Sequence, residues 1–336
     1  MKIIVDAFGG DNAPLEVLKG CGQAREEYGV EIVLCGDENK IRTCAREHGI
    51  ILDEMTILHA PRVIPVEADP TSLLKEYADS SMAVGLKALK NGEGDAFVSA
   101  GSTGALVVGA SLIVKRLKGV RRVGLATVIP NANNFYLLMD AGANAECRPE
   151  MLAQFGVMGS VYLERLKGVN KPRVGIVNIG AEETKGLELQ LETYKLLQKA
   201  PVNFIGNVEA RGVPLGECDV AVCDGFTGNV VLKLTEGLAK YFSNELKSMF
   251  KASLKTKLAA LLMMDKINGF KKKMDYKEHG GAPLLGASLP VIKAHGSSDA
   301  RAFKNAIRQA KEYVEKHVTE EMQSALSALK AETAED

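Results

Sequence analysis

The sequence predicts an α/β fold, a mostly parallel sheet with helices on both faces, from three observations. Short apolar runs alternate with amphipathic stretches over the first two-thirds of the chain. Several of these runs end in turns rich in Gly, Asn, Asp and Ser. No low-complexity linker or internal repeat breaks the pattern. Strand–helix alternation supplies the crossovers that parallel strands need and covers both faces of the sheet.

In chain order, the predicted strands are Lys2–Asp6, Glu31–Cys35, Met55–His59, Asp95–Ser99, Gly124–Val128, Phe135–Asp140, Arg173–Asn178, Asn203–Gly206 and Val220–Asp224. Apolar positions at helical spacing predict helices over Leu15–Tyr28, Ser80–Lys90, Gly104–Leu117, Pro149–Leu166 and Gly186–Gln198. After about Val230 the character changes. Lys233–Phe250 reads as a long helix, followed by a Leu- and Lys-rich stretch, a Gly-rich loop and a last helix from Asp299 to about Val318. Residues 325–336 read as a frayed tail, and residues 1–336 as a single domain.

With 336 residues the chain can bury a large core, and 46% hydrophobic with 25% charged residues is ordinary globular composition. The 42 basic and 42 acidic residues cancel, so any binding to a charged surface has to come from a local patch. Tryptophan is absent and aromatics make up 5%, which argues against nucleic acid as a partner. The six cysteines form no C-x-x-C pair and read as small buried hydrophobes in a reducing compartment. The N-terminal run through Asp6 reads as a first strand and not a signal peptide, and no apolar run approaches the roughly 20 residues that span a bilayer. A cytoplasmic chain is the expectation.

In open α/β sheets ligands bind beyond the carboxyl ends of the strands, so the polar turns there are the candidate site. Ala100–Ala105, AlaGlySerThrGlyAla, follows a strand and opens a helix; Ser102 and Thr103 offer either an anion cradle or a plain helix cap. His295–Asp299, HisGlySerSerAsp, precedes the last helix, where Ser297, Ser298 or Asp299 can cap and His295 can offer a proton or hydrogen bond. Lys293 falls on the same side as His295 if the stretch is extended. AspAlaGlyAlaAsn from Asp140 and AspGlyPheThrGlyAsn from Asp224 are turns in which the aspartates either bind Mg²⁺ or hold their own backbone. The turn reading is the safer one for Asp224, and Asn144 and Asn229 are the candidates for positioning a polar ligand. Asn178 leads a further turn that carries Lys185, either a working cation or a solvated lysine.

Residues 247–277 hold nine lysines against two aspartates. Leu254, Leu258, Leu261 and Leu262 share one helical face, with Lys255 and Lys257 elsewhere. Such a basic amphipathic helix suits an anionic membrane surface or an acidic partner protein, or else an oligomer contact. No Walker A loop, H-E-x-x-H, G-x-S-x-G or zinc-type Cys/His spacing occurs, and no G-x-G-x-x-G follows the first strand.

Taken together, ValAspAlaPheGlyGlyAspAsnAlaPro, SerAlaGlySerThrGlyAla, AspAlaGlyAlaAsn, GlyAsnValGluAlaArg, AspGlyPheThrGlyAsn and IleLysAlaHisGlySerSerAsp run in order from Val5 to Asp299. They resemble the phosphate acyltransferase family of bacterial phospholipid synthesis, the acyl-carrier-protein:phosphate acyltransferases. Ser102 stands where that family usually has Asn, and Phe8 where Met is common. The resemblance implies a fold like that of isocitrate and isopropylmalate dehydrogenases, a homodimer, peripheral membrane association and no metal or redox cofactor. It also implies transfer of a fatty acyl group from acyl carrier protein to inorganic phosphate. The acyl phosphate would feed a membrane-embedded glycerol-phosphate acyltransferase.

On that footing phosphate is expected near Ser102, Thr103, His295 and Ser298, with Lys185, Asn144, Asn178 and Asn229 polarising or positioning the thioester. Phosphate is already an anionic nucleophile, so the chemistry asks mainly for alignment and oxyanion stabilisation. The alternatives are an NAD-dependent decarboxylating dehydrogenase on the same fold and a non-catalytic membrane scaffold.

Overall fold

A computed structural model describes residues 1–267, 269 and 280–334. The strands are β1 (Lys2–Asp6), β2 (Glu31–Gly36), β3 (Met55–His59), β4 (Ala96–Ser99), β5 (Gly124–Leu125), β6 (Thr127–Pro130), β7 (Phe135–Met139), β8 (Arg173–Asn178), β9 (Asn203–Glu209), β10 (Val220–Val222), β11 (Ala282–Leu285) and β12 (Val291–Lys293). The helices are α1 (Leu15–Tyr28), α2 (Glu38–Glu47), α3 (Ser81–Lys90), α4 (Thr103–Gly109), α5 (Pro149–Lys167), α6 (Glu188–Gln198), α7 (Gly225–Lys251), α8 (Leu254–Leu262), α9 (Ala300–Glu315) and α10 (Val318–Ala334).

The strands form two sheets, where alternation along the chain suggested one. The first has seven strands in the order β3-β2-β1-β4-β12-β11-β5, and the second has five in the order β6-β7-β10-β8-β9. Pairing is parallel from β3 through β12 in the first sheet and from β7 through β9 in the second; β12–β11, β11–β5 and β6–β7 are antiparallel. The predicted strand Gly124–Val128 is divided between the sheets. Gly124 and Leu125 pair with β11, and after Ala126 the chain pairs with β7. A single run of hydrophobic residues cannot announce that its two halves have different partners.

Parallel strands covered on both faces need unbroken apolar runs, and β1 and β8 are buried at every position after the first. Helix α1 turns Val17, Leu18, Cys21 and Ala24 to the core at helical spacing. Gly20 lets α1 press on α9, since a Cβ there would lie 2.6 Å from the Phe303 Cβ. One buried cluster, including Ile4, Phe97, Leu138 and Val177, joins residues of both sheets.

Three expectations are corrected by the packing. The helix foreseen over Gly104–Leu117 is α4 followed by one wide turn, Ala110–Val114. Helix α7 begins at Gly225 and not at Lys233, because Asp224 caps it by accepting from Thr227 N at 2.8 Å. The tail foreseen as frayed from residue 325 is helical to Ala334. Leu326 and Leu329 are each 6% exposed in the core beside α5, a burial of about 2 kcal/mol per side chain.

Of the basic stretch 247–277, residues 268 and 270–277 lie outside the described residues. Helix α8 carries Leu254, Leu258, Leu261 and Leu262, all exposed, with Lys255 and Lys257 exposed beside them. Helix α7 buries only Gly225 and Gly228 among its described residues. No described helix is long and apolar enough to cross a membrane.

Candidate active site

Strands β1, β4 and β12 are neighbours in the first sheet, so their carboxyl-end loops lie side by side. Asp6 closes β1, and its buried carboxylate accepts from Ser99 Oγ at 2.7 Å and from Phe8 N at 3.2 Å. Burial raises the Asp6 pKa, and its hydrogen bonds oppose that rise. Ser99 Oγ in turn accepts from Gly101 N at 3.0 Å. Gly9 is required here: a Cβ on it would stand 2.7 Å from Gly101 N and 2.9 Å from Ser99 Oγ. Asp11 N donates to the Gly296 carbonyl at 2.8 Å, tying the third loop to the first. Residues separated by more than 280 positions in the chain thus form one polar floor.

Four of the expected phosphate-binding residues sit on these loops. Ser102 caps α4, with Ala105 N donating to its Oγ at 3.5 Å, and Thr103 follows as the first helical residue. His295 accepts from Ser297 N through Nδ1 at 3.2 Å, with Ser297 Oγ at 2.9 Å from the same nitrogen. That acceptance assigns the proton of the neutral ring to Nε2. The residue is solvent-accessible, yet packed protein around the ring disfavours its charge and lowers its pKa. Ser298 is buried, and its hydroxyl has no hydrogen-bond partner among the described residues. Asn12 Nδ2 donates to the Ser298 carbonyl at 3.2 Å.

Lys293, foreseen beside His295, is on β12. Its ammonium donates to the carbonyls of Ala100 at 3.2 Å and Ala294 at 2.5 Å. Burial lowers its pKa to about 8, against the pull of Asp6 and Asp11.

The second sheet contributes the ends of β7, β10 and β8. Asp140 is fully buried, and its two oxygens accept from the backbone N–H groups of Leu125, Gly142, Ala143 and Asn144 and from Asn144 Nδ2, all between 2.7 and 3.1 Å. Asn144 Nδ2 also donates to Val123 O at 2.8 Å, so both of its side-chain N–H bonds are in use. Asp224 accepts from Thr227 N and from Thr227 Oγ1. Both aspartates weighed for Mg²⁺ therefore hold backbone turns, and Asp140 has little acceptor capacity left for a cation. Asn229 lies one turn into α7, exposed, its Cβ 3.4 Å from where a Cβ on Gly142 would stand.

Asn178 organises its own loop, donating to Lys185 O at 3.0 Å and accepting from Ile179 N at 2.8 Å. Lys185 is exposed on that loop. No hydrogen bond joins it to the other two clusters among the described residues. Helix α7 does connect them. It starts on the 140–144 turn and carries the Lys233–Glu236 ion pair (2.8 Å) into the electrostatic surroundings of His295. Sequence reasoning did not single out Asp6, Ser99, Asn12, Lys233 or Glu236. An Asp closing an otherwise apolar first strand was a signal for Asp6; nothing local marked the others.

The arrangement offers backbone N–H groups, hydroxyls and the Lys293 ammonium at adjoining strand ends. Two hydroxyls there meet a basic group, Ser99 on Asp6 and Ser297 on His295, and a backbone N–H ties each pair into its own turn. Cys223, the nearest thiol to Asp140, is buried and its pKa is raised by burial. Such a site suits an anionic substrate that brings its own nucleophile.

Known proteins agree with that outline. The family described as "Fatty acid synthesis protein" matches residues 1–321. The phosphate acyltransferase of Alkaliphilus oremlandii (strain OhILAs) is 46% identical over 329 residues, covering 98% of both chains. That of Clostridium botulinum (strain Loch Maree / Type A3) is 47% identical over 330 residues, again 98% of both. Among solved structures, EutD phosphotransacetylase from Staphylococcus aureus has a TM-score of 0.59 at 18% identity, covering 98% of this chain and 94% of that one. A branched-chain phosphotransacylase from Enterococcus faecalis V583 has a TM-score of 0.56 at 14% identity, covering 94% and 99%. Fold and relatives together define an acyltransferase with a phosphotransacylase-like α/β fold. More particularly, the chain belongs to the phosphate acyltransferase family of fatty acid and phospholipid synthesis.

Proposed function

We propose that the enzyme transfers a long-chain fatty acyl group from acyl carrier protein to inorganic phosphate, giving acyl phosphate. The observation that carries this reading is the buried Ser298 hydroxyl, which has no hydrogen-bond partner among the described residues and lies three residues from His295 on the loop next to the Ser102–Thr103 helix start. A phosphate oxygen there would satisfy that hydroxyl and accept from Nε2–H of neutral His295, with Lys293 supplying nearby positive charge.

In the transfer step a phosphate oxygen attacks the thioester carbonyl carbon, and the carbonyl oxygen takes up the charge. The C–S bond then breaks, its electron pair leaves on the carrier sulfur, and the sulfur takes a proton from water. Lys185 and Asn229 are the candidates for stabilising the oxyanion. Asn144 and Asn178 serve by positioning, since their amides hold the turns that carry those groups. The dehydrogenase alternative gains no observation, because Asp140 and Asp224 are occupied by their own turns.

The same reading includes a homodimer and peripheral binding to an anionic membrane, where a glycerol-phosphate acyltransferase would consume the product. Phe226, Val230, Leu234, Leu238, Phe242 and Leu246 recur every four residues along α7, each 41–68% exposed, a stripe suited to a second copy. The exposed leucines of α8 with Lys255 and Lys257 suit the lipid surface.

Hydroxamate trapping tests the reaction: purified protein, palmitoyl-carrier and phosphate should yield acyl phosphate and free carrier thiol. No phosphate-dependent product from folded protein and active carrier would overturn it.

A further inference from the structure

Residues 115–122 read LysArgLeuLysGlyValArgArg, five basic side chains and no acidic one. Two side-chain amides from different helices hold this loop. Gln154 of α5 accepts from Arg121 N and donates to Gly119 O, both at 2.9 Å. Gln323 of α10 accepts from Lys118 N at 2.9 Å and donates to Lys118 O at 3.1 Å. Leu117 and Val120 anchor the loop in the core. Within the loop the Arg116 guanidinium also donates to the Arg121 carbonyl, so its shape is fixed without the side chains of Lys118, Arg121 or Arg122, which are left for another purpose. Lys118, Arg121, Arg122 and the nearby Arg148 are exposed, and none of the four makes an ion pair among the described residues. Gathered like charges repel one another, a cost that an anionic partner removes.

The loop borders a concavity of about 1150 Å³ between the first turns of α5 and the last turns of α10. Met151, Leu326 and Leu329 give it apolar lining, and Glu150 is its one acidic residue among those described. The rim abuts the candidate active site. Asn144 Nδ2 donates to the carbonyl of Val123, the residue after Arg122, and the charge of Arg122 bears on Cys147 beside that turn.

We propose that this concavity is the docking surface for the donor carrier protein, with an acidic helix of the carrier set against Arg121, Arg122 and Arg148 and its thioester arm reaching the 140–144 turn. The proposal rests on the carrier-thioester reading above. Charge complementarity selects an acidic partner, and the shape selects a protein. A basic rim around a recessed apolar floor receives a convex element, whereas a lipid surface meets protruding side chains.

The test uses the full-length double variant Arg121→Glu/Arg122→Glu, assayed with palmitoyl-carrier and with palmitoyl-pantetheine, which lacks the protein. Reversing two rim charges is expected to lower kcat/KM for the carrier at least about tenfold more than for the pantetheine thioester, chiefly through KM. Carrier binding followed by fluorescence anisotropy should weaken in parallel, and Arg121→Lys/Arg122→Lys should keep most of it. Equal losses with both thioesters, or carrier kinetics and binding within about twofold of the parent, would overturn the proposal. So would loss of binding to phosphatidylglycerol vesicles with carrier kinetics unchanged, which would assign the surface to the membrane. If the parent enzyme makes no acyl phosphate from either donor, the transfer reading fails, and the anisotropy comparison still decides the docking surface.

Discussion

Gly228 sits against the carbonyl of Asp140 so closely that a Cβ on it would stand 1.8 Å from the Asp140 oxygen. The contact seats the first turns of α7 on the 140–144 turn, and the Gly225 N–H bond to Asn144 O at 2.7 Å completes it. Since α7 also carries Lys233 and Glu236 toward His295, this one approach sets the spacing of the two clusters. Gly228→Ala forces backbone to move. The expected loss is about 2–3 kcal/mol of stability and at least about tenfold in kcat/KM, read by chemical denaturation and the hydroxamate assay. Stability and activity at parental levels would refute the role given to this contact.

Asp140 is the acceptor for four backbone N–H groups, so Asp140→Ala leaves buried donors unpaired. A destabilisation of roughly 3 kcal/mol or more is expected. Asp140→Asn keeps the shape but replaces an acceptor oxygen with a donor group, and should lie between Ala and the parent. Urea denaturation of the three proteins checks the order.

Ser298→Ala separates binding from folding. Its hydroxyl has no partner among the described residues, so deletion should leave the melting temperature unchanged or slightly raised. If the hydroxyl meets phosphate, the KM for phosphate should rise about fivefold or more, the equivalent of one hydrogen bond of roughly 1 kcal/mol. An unchanged phosphate KM would remove Ser298 from the site.

The pH–rate profile should be bell-shaped. Burial lowers the His295 pKa, so if the proposed site uses the neutral ring, activity should persist as pH falls through 6.5 and be lost only below it. If the proposed site needs Lys293 as an ammonium, activity should decline as pH rises through about 8. Lys293→Arg keeps the charge and should move the alkaline limb upward or abolish it. A profile flat from pH 7 to 9 in the parent would exclude Lys293 from the reaction.

Leu329→Ala tests the final helix. Loss of a buried leucine there should cost about 2–4 kcal/mol, where a frayed tail would register nothing.

Lys2–Asp6, Met55–His59 and Arg173–Asn178 are strands with the predicted bounds; for the first and last the reason is that a buried parallel strand needs an uninterrupted apolar segment, whereas Met55–His59 is an edge strand with only Met55 buried. Strands β11 and β12 escaped notice. Each is only three or four residues long, and β11 contains Pro283, so neither shows a period. Among the candidate site residues, Ser102 and Thr103 were legible as a helix start after a strand, and His295 and Ser298 as a turn preceding the last helix. Asn144 and Asn178 were legible as turn residues, but their sequence did not reveal that their amides are engaged by Asp140, Val123 O and Lys185 O. The basic loop at 115–122 was not singled out, since only the tertiary structure shows that it edges a concavity.

The sequence by itself determined the kinds of element, their order and the polar turns that close the strands, since these follow from local periodicity and from the conformations that Gly, Asn and Asp favour. Only the tertiary structure decided that the strands divide into two sheets at Ala126, that Asp6, Ser99, Gly9 and Gly296 converge, and that α7 bridges the two clusters. Most of these relationships depend on pairing and close packing between residues far apart in the chain, up to the 285 positions between Asp11 and Gly296. Their energy comes from burial and hydrogen bonds that exist only once both partners are in place, so no window of the chain contains it.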